Sequence, residues 1–200
     1  MPKSYTDIEK EYIKSNLHQH AAECLSIYGI KRTTVDELVK RAKIPKGTFY
    51  LFYKSKEILL FEVILKWHDE IQNELYHTIN TLSDRVTVNN LTDAIFIAYK
   101  HVEQTGLASI LFTGEIEALI HKLPQEMLEE HLTKDNDMIE KIIAILPAAK
   151  GKDPQLYSAA FRSAFFLLLH KQEIGPQFDE VLKLNLRGLV IQLLGGNDND

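Results

Sequence analysis

Between Tyr28 and Leu60 the chain carries eight basic residues, Lys31, Arg32, Lys40, Arg41, Lys43, Lys46, Lys54 and Lys56, against three acidic ones, Asp36, Glu37 and Glu57. Within that stretch runs Lys46-Gly47-Thr48-Phe49-Tyr50-Leu51-Phe52-Tyr53, where Phe49 and Phe52 stand three apart and share one face of a helix. Lys46, Thr48, Tyr50 and Tyr53 are then free to point elsewhere. A lysine reaches a phosphate or a guanine edge, a threonine offers a base its hydroxyl and methyl, and a tyrosine hydroxyl suits a phosphate oxygen. Gly47 lets a backbone come close. Helix amino-termini after Thr34 and Ser55 present unpaired N–H groups that suit further phosphates, with Lys54 and Lys56 beside them. This set of residues can recognise nucleic acid, although the charges alone suit a solvated helix face equally well.

The elements that must position these side chains are legible from spacing. Thr34 with Glu37 forms a capping-box pattern ahead of Val35, Leu38, Val39 and Ala42, which share one face. Lys43-Ile44-Pro45 follows, and proline is tolerated only in the first turn of a helix, so the chain must break and restart there. Two short helices joined by a tight turn result. The second is about two turns long, roughly 10 to 12 Å, and the major groove of B-DNA is about 12 Å wide. Upstream, Ile13, Leu17, Ala21, Cys24, Leu25 and Tyr28 recur at three- and four-residue steps behind a Thr6–Glu9 box, and Gly29 is expected to stop that helix. Downstream, Ser55 caps a helix whose apolar pattern continues without a breaker from Ile58 to Leu82, about 40 Å of helix. Residues 83–90 are polar and read as a connection. Beyond them helices are predicted at about 91–104, 107–122, 124–146, 154–171 and 176–194, with Pro124, Pro154 behind Asp153, and Pro176 in first turns.

Composition agrees with an all-α chain, since nine glycines and six prolines in 200 residues leave little turn chemistry for a β fold. Residues 1–68 hold twelve Lys/Arg and eight Asp/Glu, whereas residues 69–200 hold eleven and twenty. A basic patch beside an acidic body suits a small nucleic-acid reader. The longest unbroken apolar run is Ala164 to Leu169, far short of the roughly 20 residues of a bilayer span. The start carries no secretory signal, so a cytoplasmic protein without a membrane partner is expected. Cys24 is the lone cysteine and sits on an apolar face, which excludes an internal disulfide and favours an inert thiol. Glu74 with His77 gives one Glu-x-x-His and no second copy, and Glu117 with His121 reads as a surface pair. No phosphate-cradling G-x-G, G-x-S-x-G or Walker loop occurs. The sequence therefore indicates no enzyme, no catalytic residue, no cofactor and no metal.

Thr33-Thr34-Val35-Asp36-Glu37-Leu38, Ala42-Lys43-Ile44-Pro45-Lys46-Gly47-Thr48-Phe49-Tyr50 and Tyr53-Lys54-Ser55-Lys56-Glu57-Ile58-Leu59 together resemble the helix-turn-helix of the TetR family of bacterial transcriptional regulators, over about residues 7 to 66. The resemblance implies a positioning helix at 34–42 and a recognition helix at 46–52. It implies phosphate contacts from Thr34, Tyr50 and Lys56 and groove contacts from Lys46, Gly47, Thr48 and Tyr53, with Thr33 and Lys54 in the same DNA-binding set. Two departures stand out. The family usually has glycine where this chain has Lys43, and a left-handed conformation there costs a non-glycine residue roughly 1 kcal/mol or more. It also often closes the recognition helix with tyrosine then phenylalanine, whereas Phe52 precedes Tyr53 here, which leaves open which ring packs inward.

The expected organisation is a three-helix DNA-binding domain at 1–54 with its helix-turn-helix at about 34–53, a long connecting helix at 55–82 and a helical ligand-binding and dimerisation bundle at 83–200. Leu168, Leu169, Leu182, Leu186, Leu189, Val190 and Leu193 form an apolar excess on the last two helices that suggests burial against a second subunit. The resemblance implies a four-helix homodimer interface there. Trp67, Phe96, Tyr99, Phe112, Phe161 and Phe165 are candidates to line an apolar cavity, with Glu115 to orient a ligand, although core packing is the commoner fate of such rings. The expected function is repression from a palindromic double-stranded DNA operator, relieved by a small hydrophobic effector that acts through the long helix. The rival is a constitutive DNA-binding dimer whose second half only dimerises.

Overall fold

The computed structural model describes residues 5–82, 85–111 and 113–195, and all regular structure among them is helical. The elements are α1 (Asp7–Arg32), α2 (Val35–Ala42), α3 (Lys46–Phe52), α4 (Lys56–Leu82), α5 (Val88–Gln104), α6 (Gly106–Leu111), α7 (Glu115–Ile120), α8 (Gln125–Ile145), α9 (Pro154–Leu169), α10 (Lys171–Ile174) and α11 (Phe178–Leu194), with 3-10 turns at Pro147–Ala149 and Gly175–Gln177.

The cap at Thr6 is reciprocal. The Thr6 hydroxyl accepts from the Glu9 backbone N–H at 3.3 Å and the Glu9 carboxylate accepts from that of Thr6 at 2.8 Å. Ile13, Leu17, Ala21, Cys24 and Leu25 follow on the buried face of α1. Gly29 breaks the helix, as expected. It takes φ 73° and ψ −174°, a left-handed excursion open to glycine, and helical turns resume to Arg32. The Thr34 hydroxyl caps α2 by accepting from the Glu37 N–H at 3.2 Å. The Glu37 carboxylate turns outward instead of closing the box and pairs with Arg41 Nε at 2.6 Å.

Lys43 closes α2 in the left-handed region, at φ 54° and ψ 41°, so the turn keeps the conformation of a glycine despite the cost to a lysine, where a slightly different turn was expected. Its N–H donates to the Lys40 carbonyl and the Ile44 N–H to that of Val39, the paired bonds that satisfy a helix end. Pro45 then precedes the first turn of α3. Later boundaries differ from expectation in two places. Thr87 and Asn90 exchange side-chain and backbone hydrogen bonds at 2.8 and 3.2 Å, so α5 starts at Val88 and the connection is shorter. The helix predicted over 107–122 is broken into α6 and α7, because Gly114 at φ 66° leaves the helical region.

Two compact units form, and they do not follow chain order. One comprises Met1–Trp67 with Thr105–Leu123, the other His68–Gln104 with Pro124–Asp200. The first thus differs from the expected 1–54 domain in taking up the start of α4 and the whole of α6 and α7, both of which pack on α1. Its core includes Leu17, Leu25, Leu38, Phe49, Leu59, Leu60, Ile110 and Leu119, all fully buried. In the second unit α11 packs on α5 and α9, and α8 packs on α9, over Ile79, Leu91, Leu146, Phe178, Leu182 and Leu186.

Candidate nucleic-acid interface

Phe49 decides which way α3 faces. Its ring is wholly buried, and Tyr50, stacked edge-on against it at 5.3 Å, is left 52% exposed on the other side. Lys46 and Gly47 are exposed beside it, and a Cβ at Gly47 would meet nothing within 4 Å. Lys46 Nζ lies 2.8 Å from Asp36 Oδ1 in the first turn of α2, and this hydrogen bond raises the lysine pKa above its ordinary value. Leu51, 63% exposed, joins the same outer surface, and no charge or motif in the sequence marked it out. Lys40, Lys43 and Lys54 are exposed in the flanking segments.

Other residues expected at DNA are engaged inside the first unit. Thr33 is fully buried and its hydroxyl donates to the Gly29 carbonyl at 2.7 Å. Thr48 is buried with its hydroxyl 3.0 Å from that of Tyr5. Tyr53, only 4% exposed, donates its hydroxyl to Glu62 Oε2 at 3.0 Å and lies 3.1 Å from His18 Nε2. Burial, followed by the neighbouring Glu62 carboxylate, pushes the Tyr53 pKa up. Of the two rings closing the recognition helix, Tyr53 therefore packs inward, while Phe52 is partly exposed and tilted against Tyr5 at 6.3 Å. Thr34 is exposed and its hydroxyl is occupied as the α2 cap. Lys56 is partly buried, which lowers its pKa, and its ammonium donates to the carbonyls of Ile30 at 2.8 Å and Thr33 at 2.6 Å. It is held as a clasp on the end of α1.

The opposite side of that bend is held by Glu115. Its Oε2 accepts from the backbone N–H groups of Ile30 at 2.6 Å and Lys31 at 3.1 Å, the donors freed by the excursion at Gly29. A Cβ at Gly29 would sit 2.9 Å from that same oxygen. The sequence suggested Glu115 at a ligand; the structure places it against the bend of α1, in the first turn of α7. The nearby glutamate Glu57 is held below the usual carboxylate range even though burial works against its charge, by a backbone hydrogen bond and by Lys122 at 3.2 Å.

In the second unit the Tyr99 hydroxyl donates to the Phe161 carbonyl at 2.5 Å, and its ring lies 6.2 Å from that of Phe165. These three expected pocket residues are brought together. Phe96 is partly exposed with Lys183 Nζ 5.6 Å over its ring. Trp67 and Glu115 belong to the first unit, and Phe112 lies outside the described residues. A groove of about 210 Å³ is lined by Asp69, Gln72, Asn73, Lys134, Asp137, Met138 and Lys141, none of them among the expected aromatics. The residues expected at a dimer interface are largely core. Leu168, Leu182, Leu186, Val190 and Leu193 are at most 2% exposed within one protomer, and Leu169 and Leu189 are intermediate. The apolar surface left outward on these helices is Leu156, Phe166 and Leu184.

Residues 18–63 match the family described as bacterial regulatory proteins, tetR family. The chain is 30% identical over 115 residues to the HTH-type transcriptional regulator YuxN of Bacillus subtilis, a match that spans 52% of this chain but 38% of YuxN's own length. It is 24% identical over 166 residues to YhgD of the same organism, covering 80% of this chain and 84% of that protein. The crystal structure of Thermus thermophilus FadR, a TetR-family transcriptional repressor in complex with lauroyl-CoA, shares the fold at a TM-score of 0.65 and 18% identity, over 94% of this chain and 98% of that one. With α2, the left-handed turn and α3 arranged as described inside the matched segment, residues 18–63 carry the helix-turn-helix unit of the tetR family of bacterial regulatory proteins.

Proposed function

We propose that the chain acts in the cytoplasm as a dimeric, ligand-responsive repressor that places α3 of each protomer in the major groove of a palindromic operator. The observation that carries this reading is the division of α3 into a buried Phe49 and an outward face of Lys46, Gly47 and Tyr50. Lysine and the open backbone at Gly47 suit base edges and phosphates, and Tyr50 with Lys54 suits the phosphates beyond. Thr34 contributes through the amino-terminus of α2. Thr33, Thr48, Tyr53 and Lys56 support this surface from behind.

A two-fold dimer would set two such helices about 34 Å apart, one per successive major groove. The outward faces of α9 and α11, with Leu156, Phe166 and Leu184 exposed, are the surface we assign to the partner subunit. The effector we infer is a hydrophobic molecule held near Tyr99, Phe161 and Phe165. The FadR structure, solved with lauroyl-CoA, supports an acyl compound as the first to try. To release DNA it must prefer the non-binding conformation, by about 1 to 3 kcal/mol in typical cases.

Fluorescence anisotropy with an operator selected from random duplex DNA tests this. Lys46→Ala and Tyr50→Ala are each expected to weaken binding by about 5- to 150-fold, corresponding to about 1 to 3 kcal/mol, with unchanged melting, and Lys46→Ala should reduce the salt slope by about one. Wild-type affinity in both variants would refute the interface. Operator that stays bound across a panel of fatty acids, acyl-CoAs and aromatic compounds would favour the constitutive dimer.

A further inference from the structure

Three side chains of the second unit converge. His68 of α4 and His131 and Asp135 of α8 each offer a ring nitrogen or carboxylate oxygen, and these atoms lie within 4.8 Å of one another. His68 Nε2 and His131 Nδ1 are each 3.7 Å from Asp135 Oδ1, and the imidazoles meet edge to face with centroids 4.9 Å apart. Ligands held at about 2.1 Å in a tetrahedral shell stand about 3.4 Å from each other. The two 3.7 Å separations need only small adjustments to reach that value, and the nitrogen–nitrogen distance closes by ring rotation.

A donor already stands where the lone pairs meet. The Gln72 amide nitrogen is 3.2 Å from His68 Nε2 and 3.0 Å from Asp135 Oδ1. One electrophilic group serving two lone pairs marks the position a cation would take, and turning the amide over presents its oxygen as a further ligand. With Nε2 accepting, the His68 proton is on Nδ1, and that buried atom has no hydrogen-bond partner. It faces Asp69 Oδ1 at 3.8 Å, beyond a hydrogen bond. Arg162 Nε, also without a hydrogen-bond partner, lies 3.5 Å from Asp135 Oδ2. It holds the far carboxylate oxygen and leaves Oδ1 toward the histidines. Gln72 also lines the neighbouring groove, with Asp69 and Lys134.

We propose that His68, His131 and Asp135 form a binding site for a divalent transition-metal ion of the zinc class, with the Gln72 amide oxygen or a water as fourth ligand. Two imidazoles and one carboxylate suit zinc and disfavour calcium and magnesium, which take oxygen ligands. The site needs only the second unit and stands whether or not α3 reads DNA.

The test is zinc titration of the full chain after chelator treatment, by calorimetry, with cobalt as a spectroscopic probe. One site per chain of micromolar or tighter affinity is expected, with tetrahedral cobalt absorption. His68→Gln and Asp135→Asn should each weaken it at least tenfold, whereas His77→Ala, exposed on the same helix, should leave it unchanged. In the wild-type protein with labelled histidines, zinc should move two of the eight imidazole signals, a readout that stands even where a variant unfolds. Absence of binding, equal binding in both ligand variants, or movement of other histidines would overturn the proposal.

Discussion

The bend at Gly29–Thr33 and the cluster around Asp135 both place polar groups in partly buried surroundings, yet they are finished differently. At the bend, Glu115 takes two backbone N–H groups, the Thr33 hydroxyl takes the Gly29 carbonyl, and the Lys56 ammonium takes two more carbonyls. Around Asp135, His68 Nδ1 and Arg162 Nε end without hydrogen-bond partners. Leaving a buried donor unmade is costly, so a closed set of partners reads as architecture and an open one as a place for something from outside. The acidic second unit thus keeps ligand chemistry in reserve, while the basic first unit spends its interior polar groups on holding α2 and α3 still.

The comparison breaks most visibly at Gly29. Gly29→Ala is expected to cost about 3 kcal/mol, since a left-handed alanine costs roughly 1 to 2 and its Cβ displaces a carboxylate worth about as much. Urea unfolding measures it, and a loss below about 1 kcal/mol would mean the bend relaxes freely. Glu115→Gln keeps the shape but removes the charge, and should cost about 1 to 2 kcal/mol, non-additively with Gly29→Ala. On the other side, His131→Phe removes a polar group from an open cluster at similar size, and a stability change within about 1 kcal/mol is expected by thermal melting. A much larger loss would make that cluster architectural too.

A smaller effect depends on pH. Burial alone would raise the Glu62 pKa, but hydrogen bonds from His18 and Tyr53 outweigh it and hold the carboxyl below its ordinary value of about 4.3. The unfolded chain therefore binds the proton more readily. The contribution is fully present above that ordinary value and is lost as pH falls through the lower folded value. Glu62→Gln should flatten the acid limb of a stability profile below about pH 4.3. An unchanged acid limb would count against the His18–Tyr53–Glu62 set as part of the closed interior.

Local chemistry was readable ahead of the structure. The reciprocal cap at Thr6, the Asp153 cap and the forced break at Pro45 each depend on residues within a few positions of one another. What escaped is non-local. Thr48 and Tyr53 look like groove residues until Tyr5 and Glu62 claim their hydroxyls, and Glu115 is 85 residues from the Ile30 N–H that it caps. Leu182, Leu186 and Val190 carry an apolar excess that fills their own protomer, and periodicity cannot say which body a buried face meets. The metal-type cluster left one trace in the sequence, His131 and Asp135 four apart on a helix, while His68 comes from another element.

Lys43 shows how a penalty and a benefit can fall on different equilibria. Its left-handed backbone is present in the free protein and in any complex alike, so the strain lowers folding stability by about 1 kcal/mol and cancels from the dissociation constant. Its exposed ammonium, by contrast, counts only when a polyanion approaches and counterions leave. Lys43→Gly is therefore expected to raise the melting temperature and, on the proposed function, to make binding to DNA less sensitive to ionic strength. On that reading the lysine trades endurance for electrostatic grip.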